Sequence, residues 1–157
     1  MSHGPVVAPL DPFDPVVGPR LVEVQRAAYR IEADLIGSDA IPQLHESLED
    51  LRSAGEIWIG ASVDERLVGA ISYRIDGDTL DIHRLVVDPT RFRQGIAGRL
   101  LDRVHAVPGV GRFVVSTGAA NHPARSLYEG AGYRFAGTEE VVPGLMIARY
   151  ERLVAAG

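Results

Sequence analysis

From Arg20 to Gly37 the apolar residues Leu21, Val24, Ala28, Ile31 and Leu35 recur at three- and four-residue spacing. This predicts an amphipathic helix with that stripe inward and a glycine stop. IPQLHESLEDLRSAG (41–55) repeats the pattern through Leu44, Leu48 and Leu51 and predicts a second helix, ended by Gly55. The period then shortens. EIWIGASV and RLVGAISYRI read as strands flanking the turn DER, and DGD at 76–78 is a hairpin signal leading into a third strand, TLDIHRLVV. This antiparallel meander ends at Pro89. Helical spacing returns from about Gln94 to Val107, with Ile96, Leu100, Leu101 and Val104 inward. RFVVST reads as a short buried strand. HPARSLYEGAG reads as a helix with Pro123 near its first turn and Gly130 and Gly132 around its end. YRFAGTEEVV and GLMIARYERLV close the chain as a strand pair. Residues 1–18 are proline-rich and predict an irregular arm with a short strand at PVVAPL.

The predicted order ααβββαβαββ is that of an α+β protein: a mixed, mostly antiparallel central sheet with flanking helices, in which the β–α–β unit supplies a parallel pair. A chain of 157 residues fits one domain spanning 1–157 and is long enough to bury a substantial core.

Composition narrows the chemistry. With no cysteine, disulfides, thiolate catalysis and cysteine-ligated metal are excluded. All 16 basic residues are arginine, so the lysine that a Walker A loop requires does not exist here. A net charge of −5 argues against a general nucleic-acid binder. No apolar run approaches the roughly 20 residues of a membrane span, and the first residues lack the basic and apolar segments of a secretory signal. A cytoplasmic protein is the expectation. His3, His45, His105 and His122 show no metal-ligand spacing, so no metal is expected. Charge is also segregated. Nine acidic residues lie between Glu32 and Glu65 against one Arg52, and four arginines lie between Arg91 and Arg103 against one Asp102.

The arginine-rich stretch RFRQGIAGRLL joins a predicted strand to a helix. A helix N-terminus leaves backbone amides without intrahelical partners and carries partial positive charge, so it can bind an anion directly. Gly95, Ala97 and Gly98 are the small residues such an approach needs, and Arg91, Arg93 and Arg99 can add charge-assisted contacts to phosphate. The same glycines also suit a tight turn and close helix–sheet packing, and the spacing leaves both readings open.

VVDPTRFRQGIAGRLL resembles the cofactor loop of the GNAT superfamily of acyl-CoA-dependent N-acyltransferases, [Q/R]-x-x-G-x-[G/A] after a strand and a proline turn. Gly95 and Ala97 match, and Phe92 stands where that family usually has Gln or Arg. NHPARSLYEGAGY is similar to a second segment of the family, N-x-x-A-x-x-L-Y-x-x-x-G-[FY], with Asn121, Ala124, Leu127, Tyr128, Gly132 and Tyr133 matching. The resemblance covers nearly the whole chain. It implies an N-acetyltransferase that passes the acetyl group of acetyl-CoA to a primary amine by direct attack in a ternary complex. A non-catalytic acyl-CoA-binding or sensing domain of the same fold is the alternative.

The resemblance also implies roles. The amides of Arg93, Gln94, Gly95, Ile96, Ala97 and Gly98 would grip the pyrophosphate, and the strand Leu85–Val86–Val87 would bond the pantetheine arm through its backbone. Asn121, Ala124 and Ser126 would complete the cofactor contacts. For Asn121 a helix N-cap is an equally good reading. Tyr128 is the candidate general acid toward the leaving thiolate, against the plainer reading of a core aromatic. Asp81 is the candidate base, matched by counting back from Gly95. His83, two residues on along the same strand face, is a second candidate because an imidazole changes charge near neutrality.

The resemblance further implies an acceptor site between the first two helices and the final strand pair, with LIGSDAIPQLHES as its specificity loop. The acidic excess there either attracts a cationic amine or forms a solvated face. The sequence does not separate a small molecule from a protein N-terminus as acceptor, and it leaves the oligomeric state, a homodimer included, open.

Overall fold

The computed structural model describes residues 4–155; His3 lies outside them. One seven-stranded sheet carries every strand: β1 (Val6–Pro9), β2 (Ile57–Val63), β3 (Arg66–Asp76), β4 (Thr79–Val87), β5 (Arg112–Gly118), β6 (Arg134–Val142) and β7 (Leu145–Leu153), in spatial order β1-β2-β3-β4-β5-β7-β6. Only β4 and β5 run parallel; every other pair is antiparallel. The mixed α+β sheet is the one the hydrophobic pattern predicted.

Helices α1 (Val17–Ile36) and α2 (Leu48–Ser53) cover one face, where Leu21, Val24, Leu51, Trp58 and Val86 pack together. Helices α3 (Ile96–His105) and α4 (His122–Gly130) contribute Ile96, Leu100, Leu101, Val104 and Tyr128 to the core on the other. Two sandwiched layers of apolar side chains thus hold the sheet by area burial.

Several boundaries differ from the pattern, each for a local reason. The helix predicted over 41–55 is two pieces, a 3-10 turn at Pro42–His45 and then α2. Ser47 interrupts it by taking an extended conformation as N-cap. Its Oγ accepts from Asp50 N–H at 3.2 Å, and Asp50 accepts from Ser47 N–H at 2.8 Å, a reciprocal capping box. Helix α1 starts at Val17, inside the predicted irregular arm, because the Asp14 carboxylate accepts the amides of Val16 and Val17 at 2.8 and 3.0 Å. Helix α3 starts at Ile96 rather than Gln94, since Arg93 and Gly95 take left-handed φ of 66° and 76°.

The predicted stripe of α1 is only partly buried. Leu21 and Val24 are in the core, but Ile31 is 38% and Leu35 46% exposed. Both line a wide cavity, so their exposure marks an opening beside the sheet.

Candidate active site

The site begins with a fault in the sheet. Tyr73 pairs with Ile82 and Ser72 with Arg84, so His83 is an extra residue, a β-bulge in β4. A one-residue insertion reverses the alternation of side chains beyond it. Leu80 and Ile82 face the α3 side, while Arg84 lies against Trp58 and Val86 packs on the α1 side. The β4–β5 ladder also stops there: it runs from Thr79 with Arg112 to Ile82 with Val115 and no further. Past the bulge the two parallel strands part: Leu85 to Val87 stay paired with β3, while the opposite edge of β4 faces the gap rather than β5.

Two cavities meet in that gap. The first, about 550 Å³, runs between α1, β4, the N-terminus of α3 and α4, and is lined by Leu85, Val86, Val87, Arg91, Phe92, Arg93, Gly95, Ile96, Ala97 and Gly98 among others. The second, about 330 Å³, lies under the 41–43 segment, with His83, Arg84, Ser116, Thr117, Gly118, Val141, Leu145 and Ile147 on its walls. Tyr29, Glu32, Leu85, Asn121, Ala124 and Tyr128 line both.

The α3 end of the first cavity is shaped for an anion. The first amides of a helix have no intrahelical acceptor, and here those of Ile96, Ala97 and Gly98 open toward the cavity these residues line. A Cβ added at Gly95 or Gly98 would meet no atom within 4 Å, so the glycines leave real space over the helix end. Gly95 has a second duty, its left-handed φ of 76°. The turn before it is fixed by Asp88, which accepts from Thr90 N–H at 2.9 Å and from Arg20 on α1 at 2.6 Å. Burial alone would raise the Asp88 carboxyl, but the hydrogen bonds from Thr90 and Arg20 outweigh it and hold the group below its ordinary value.

Around the bulge a polar cluster is sealed against the second cavity. Arg84 is 6% exposed, with its guanidinium on Glu46 at 2.7 Å and on Glu56, and its face over the Trp58 ring. Burial works against its charge, yet the hydrogen bond to Glu46 and the charges of both carboxylates outweigh that and raise its pKa. Glu56 also accepts from Ser72 Oγ at 2.7 Å and stands 3.2 Å from His83 Nδ1.

The structure brings most of the predicted site residues together. Leu85, Val86, Val87, Arg91, Arg93, Gly95, Ile96, Ala97, Gly98, Asn121, Ala124 and Tyr128 line the first cavity, and His83 lines the second. Gln94, Arg99, Ser126 and Asp81 line neither. Arg99 instead donates to Pro5 O at 3.3 Å, tying down the N-terminal arm, and Gln94 and Ser126 are exposed. Asp81 is exposed, with a carboxylate oxygen 3.4 Å from His83 Nε2 on the outer side of the cluster. Asn121 caps α4 by accepting from Ala124 N–H at 3.2 Å, the structural role weighed for it, while still facing the cavities. Tyr128 is buried against Tyr133 and Tyr150. Burial first, then the charge of Glu32, pushes its phenol well above the ordinary tyrosine value. Sequence reasoning passed over Tyr29, Glu32 and Glu56. Glu32 sits one turn beyond Ala28 on the predicted helix, and only the helix's docking over the gap tells it from its solvated neighbours.

Residues 20–133 match the acetyltransferase (GNAT) family. The chain belongs to that family. A 129-residue stretch is 37% identical to the UPF0157 protein YqkA of Bacillus subtilis (strain 168), covering 82% of this chain and only 38% of that much longer protein. Among solved structures, this GNAT chain superposes on the ribosomal-protein-S18-alanine N-acetyltransferase of Escherichia coli with a TM-score of 0.77 at 16% identity, over 98% of this chain and 96% of that one. It superposes on the PaiA N-acetyltransferase of Thermoplasma acidophilum, a complex with coenzyme A, with a TM-score of 0.72 at 19% identity, over 97% and 100%. At these identities the structural neighbours establish the GNAT fold. Among the described residues no helix is long and apolar enough to cross a membrane, and no group of His, Cys, Asp or Glu could hold a metal ion.

Proposed function

We propose that this GNAT protein transfers the acetyl group of acetyl-CoA to a primary amine by direct attack in a ternary complex. The observation that carries the reading is the meeting of two cavities in the β4–β5 gap, with Tyr128 on the wall of both. Acyl transfer requires such a junction, because donor and acceptor must reach one point from different sides.

The first cavity fits acetyl-CoA on the chain's own terms: a volume within the usual ligand range, bare helix amides, open space above Gly95 and Gly98, and Arg91 and Arg93 on the rim. Acetyl-CoA supplies an activated thioester. The amides of Ile96 to Gly98 hold pyrophosphate oxygens, with the two arginines adding charge-assisted contacts. The edge of β4 over Leu85 to Val87, which has no β5 partner, offers backbone groups to the pantetheine amides. Tyr128 donates its proton to the departing sulfur. His83 accepts the amine's proton. It is preferred to Asp81 because it lines the acceptor cavity, where Glu56 beside Nδ1 and Asp81 beside Nε2 hold the ring in place.

Calorimetric titration with acetyl-CoA, followed by thiol release with a panel of primary amines, tests the reading. Saturable binding and amine-dependent release are expected. Absence of binding would falsify it, and binding without release on any amine would instead support an acyl-CoA sensor, the reading that Phe92 in the cofactor loop favours.

A further inference from the structure

Glu32 is the single carboxylate lining either cavity among the described residues. Its Oε1 accepts from Gly118 N–H at 3.1 Å and from Thr117 Oγ1 at 3.2 Å, which fixes the side chain across the end of β5. Oε2 takes part in neither bond. No ion pair among the described residues involves Glu32, whereas the neighbouring Glu46 and Glu56 are both matched by Arg84. The close approach depends on a glycine: a Cβ at position 118 would lie 2.7 Å from Ile36 and 3.4 Å from Glu32 Oε1, pushing α1 away. Beyond this carboxylate the second cavity is walled by Ile36, Ile41, Val115, Val141, Leu145 and Ile147.

A fixed, half-satisfied carboxylate without a counter-ion at the mouth of an apolar cavity is a site for one cation. We infer that Glu32 binds the ammonium of the acceptor, and that the acceptor is a primary amine carrying a single positive charge on an apolar body. This inference rests on the acetyltransferase reading for the word acceptor, but the ammonium site is a property of the free protein. A polyamine or aminosugar is the poorer ligand, because its further ammonium groups meet no second carboxylate on the cavity walls and Arg84 lies among them. The acidic excess of the first half of the chain thereby reduces to one working charge. The others are matched by Arg84 or lie outside both cavities.

The test is calorimetric titration of the protein with phenethylamine and, separately, with spermidine and with acetyl-CoA, for wild type and Glu32→Gln. Glutamine keeps an acceptor for Gly118 and Thr117 and removes the charge. Phenethylamine is expected to bind wild type more tightly than spermidine does, and to lose roughly ten- to a hundredfold in affinity in the variant, the size of one charge-assisted hydrogen bond. Acetyl-CoA is expected to bind both proteins alike. Equal phenethylamine affinity in the two proteins, tighter binding of spermidine, or no binding of phenethylamine to wild type would each overturn the inference. If Glu32→Gln also loses acetyl-CoA binding, Thr117→Val decides: a severalfold loss for phenethylamine supports the anchored carboxylate, and an unchanged affinity overturns it. Failure of wild type to bind acetyl-CoA, with a Glu32-dependent amine site present, would remove the acetyltransferase reading and leave the ammonium site standing.

Discussion

His83 Nδ1 lies 3.2 Å from Glu56 Oε2, and that carboxylate's side chain is only 4% exposed. The pairing is made by the bulge, which puts His83 and Arg84 on the same side of β4 so that both reach Glu56. A buried carboxylate against one ring nitrogen fixes the orientation of the imidazole on the cavity wall. His83→Gln is therefore expected to lower kcat about a hundredfold and to leave acetyl-CoA affinity unchanged. Steady-state rates with the best amine of the panel measure this; an unaltered kcat would remove His83 from the role.

Arg84 is the counter-charge of that cluster. Replacing it by Met keeps much of its volume over Trp58 but leaves the buried Glu56 without its guanidinium partner. Breaking a buried pair from one side costs about 3–5 kcal/mol, so urea unfolding of Arg84→Met is expected to show a loss of that order.

The cofactor loop has a cleaner probe than Gly95. Any side chain at Gly95 is strained by its φ of 76°, whereas Gly98 is helical with open space above it. Gly98→Asp is expected to hold stability or raise it by about 0.3–1 kcal/mol, chiefly from a carboxylate in the first turn of the helix, while abolishing measurable acetyl-CoA binding, because it puts a carboxylate where phosphate would sit. A melting curve and a titration on the same sample separate the two effects. Normal binding would make the loop a turn and nothing more.

Tyr128→Phe removes a hydroxyl and keeps the ring packing against Tyr133 and Tyr150. The expected result is a fall in kcat of about a hundredfold with affinity for acetyl-CoA preserved. Unchanged turnover would return Tyr128 to the core as an ordinary aromatic.

His105 sets a pH limit on folding. It lies 2.7 Å from Arg152 through Nδ1 and 2.8 Å from Tyr133 Oη through Nε2. Burial, then the Arg152 charge, lower its pKa from 6.5 to about 4, with Asp102 opposing. A depressed folded value means the unfolded chain binds the proton first. The stability contributed by neutral His105 is complete above about 6.5 and is lost as pH falls toward 4. Urea midpoints for wild type are expected to drop across that window more steeply than for His105→Gln, which cannot titrate; parallel curves would refute the assignment.

Element types and their order were legible from periodicity alone, since buried stripes and alternating strands repeat within one element and need no knowledge of partners. The motifs around Gly95 and Asn121 were legible for a related reason. A bare helix end and a capped helix start are local requirements met by residues adjacent in sequence. Boundaries were less so where a cap competed with the stripe, as Ser47 did with Leu44, Leu48 and Leu51.

What the sequence by itself determined is therefore the mixed sheet, its flanking helices and the bare helix end after Gly95. Tertiary structure alone decided which charges reach the cavities. Glu32 and Asp34 are near neighbours on one helix, yet only Glu32 meets Gly118, 86 residues away, because β4 and β5 part at His83 and α1 crosses the opening. The same bulge gives His83 and Arg84 to one buried carboxylate and leaves Asp81 outside the cavities. A register shift of one residue has no signature in hydrophobic period, being set by which strands pair and where they stop pairing.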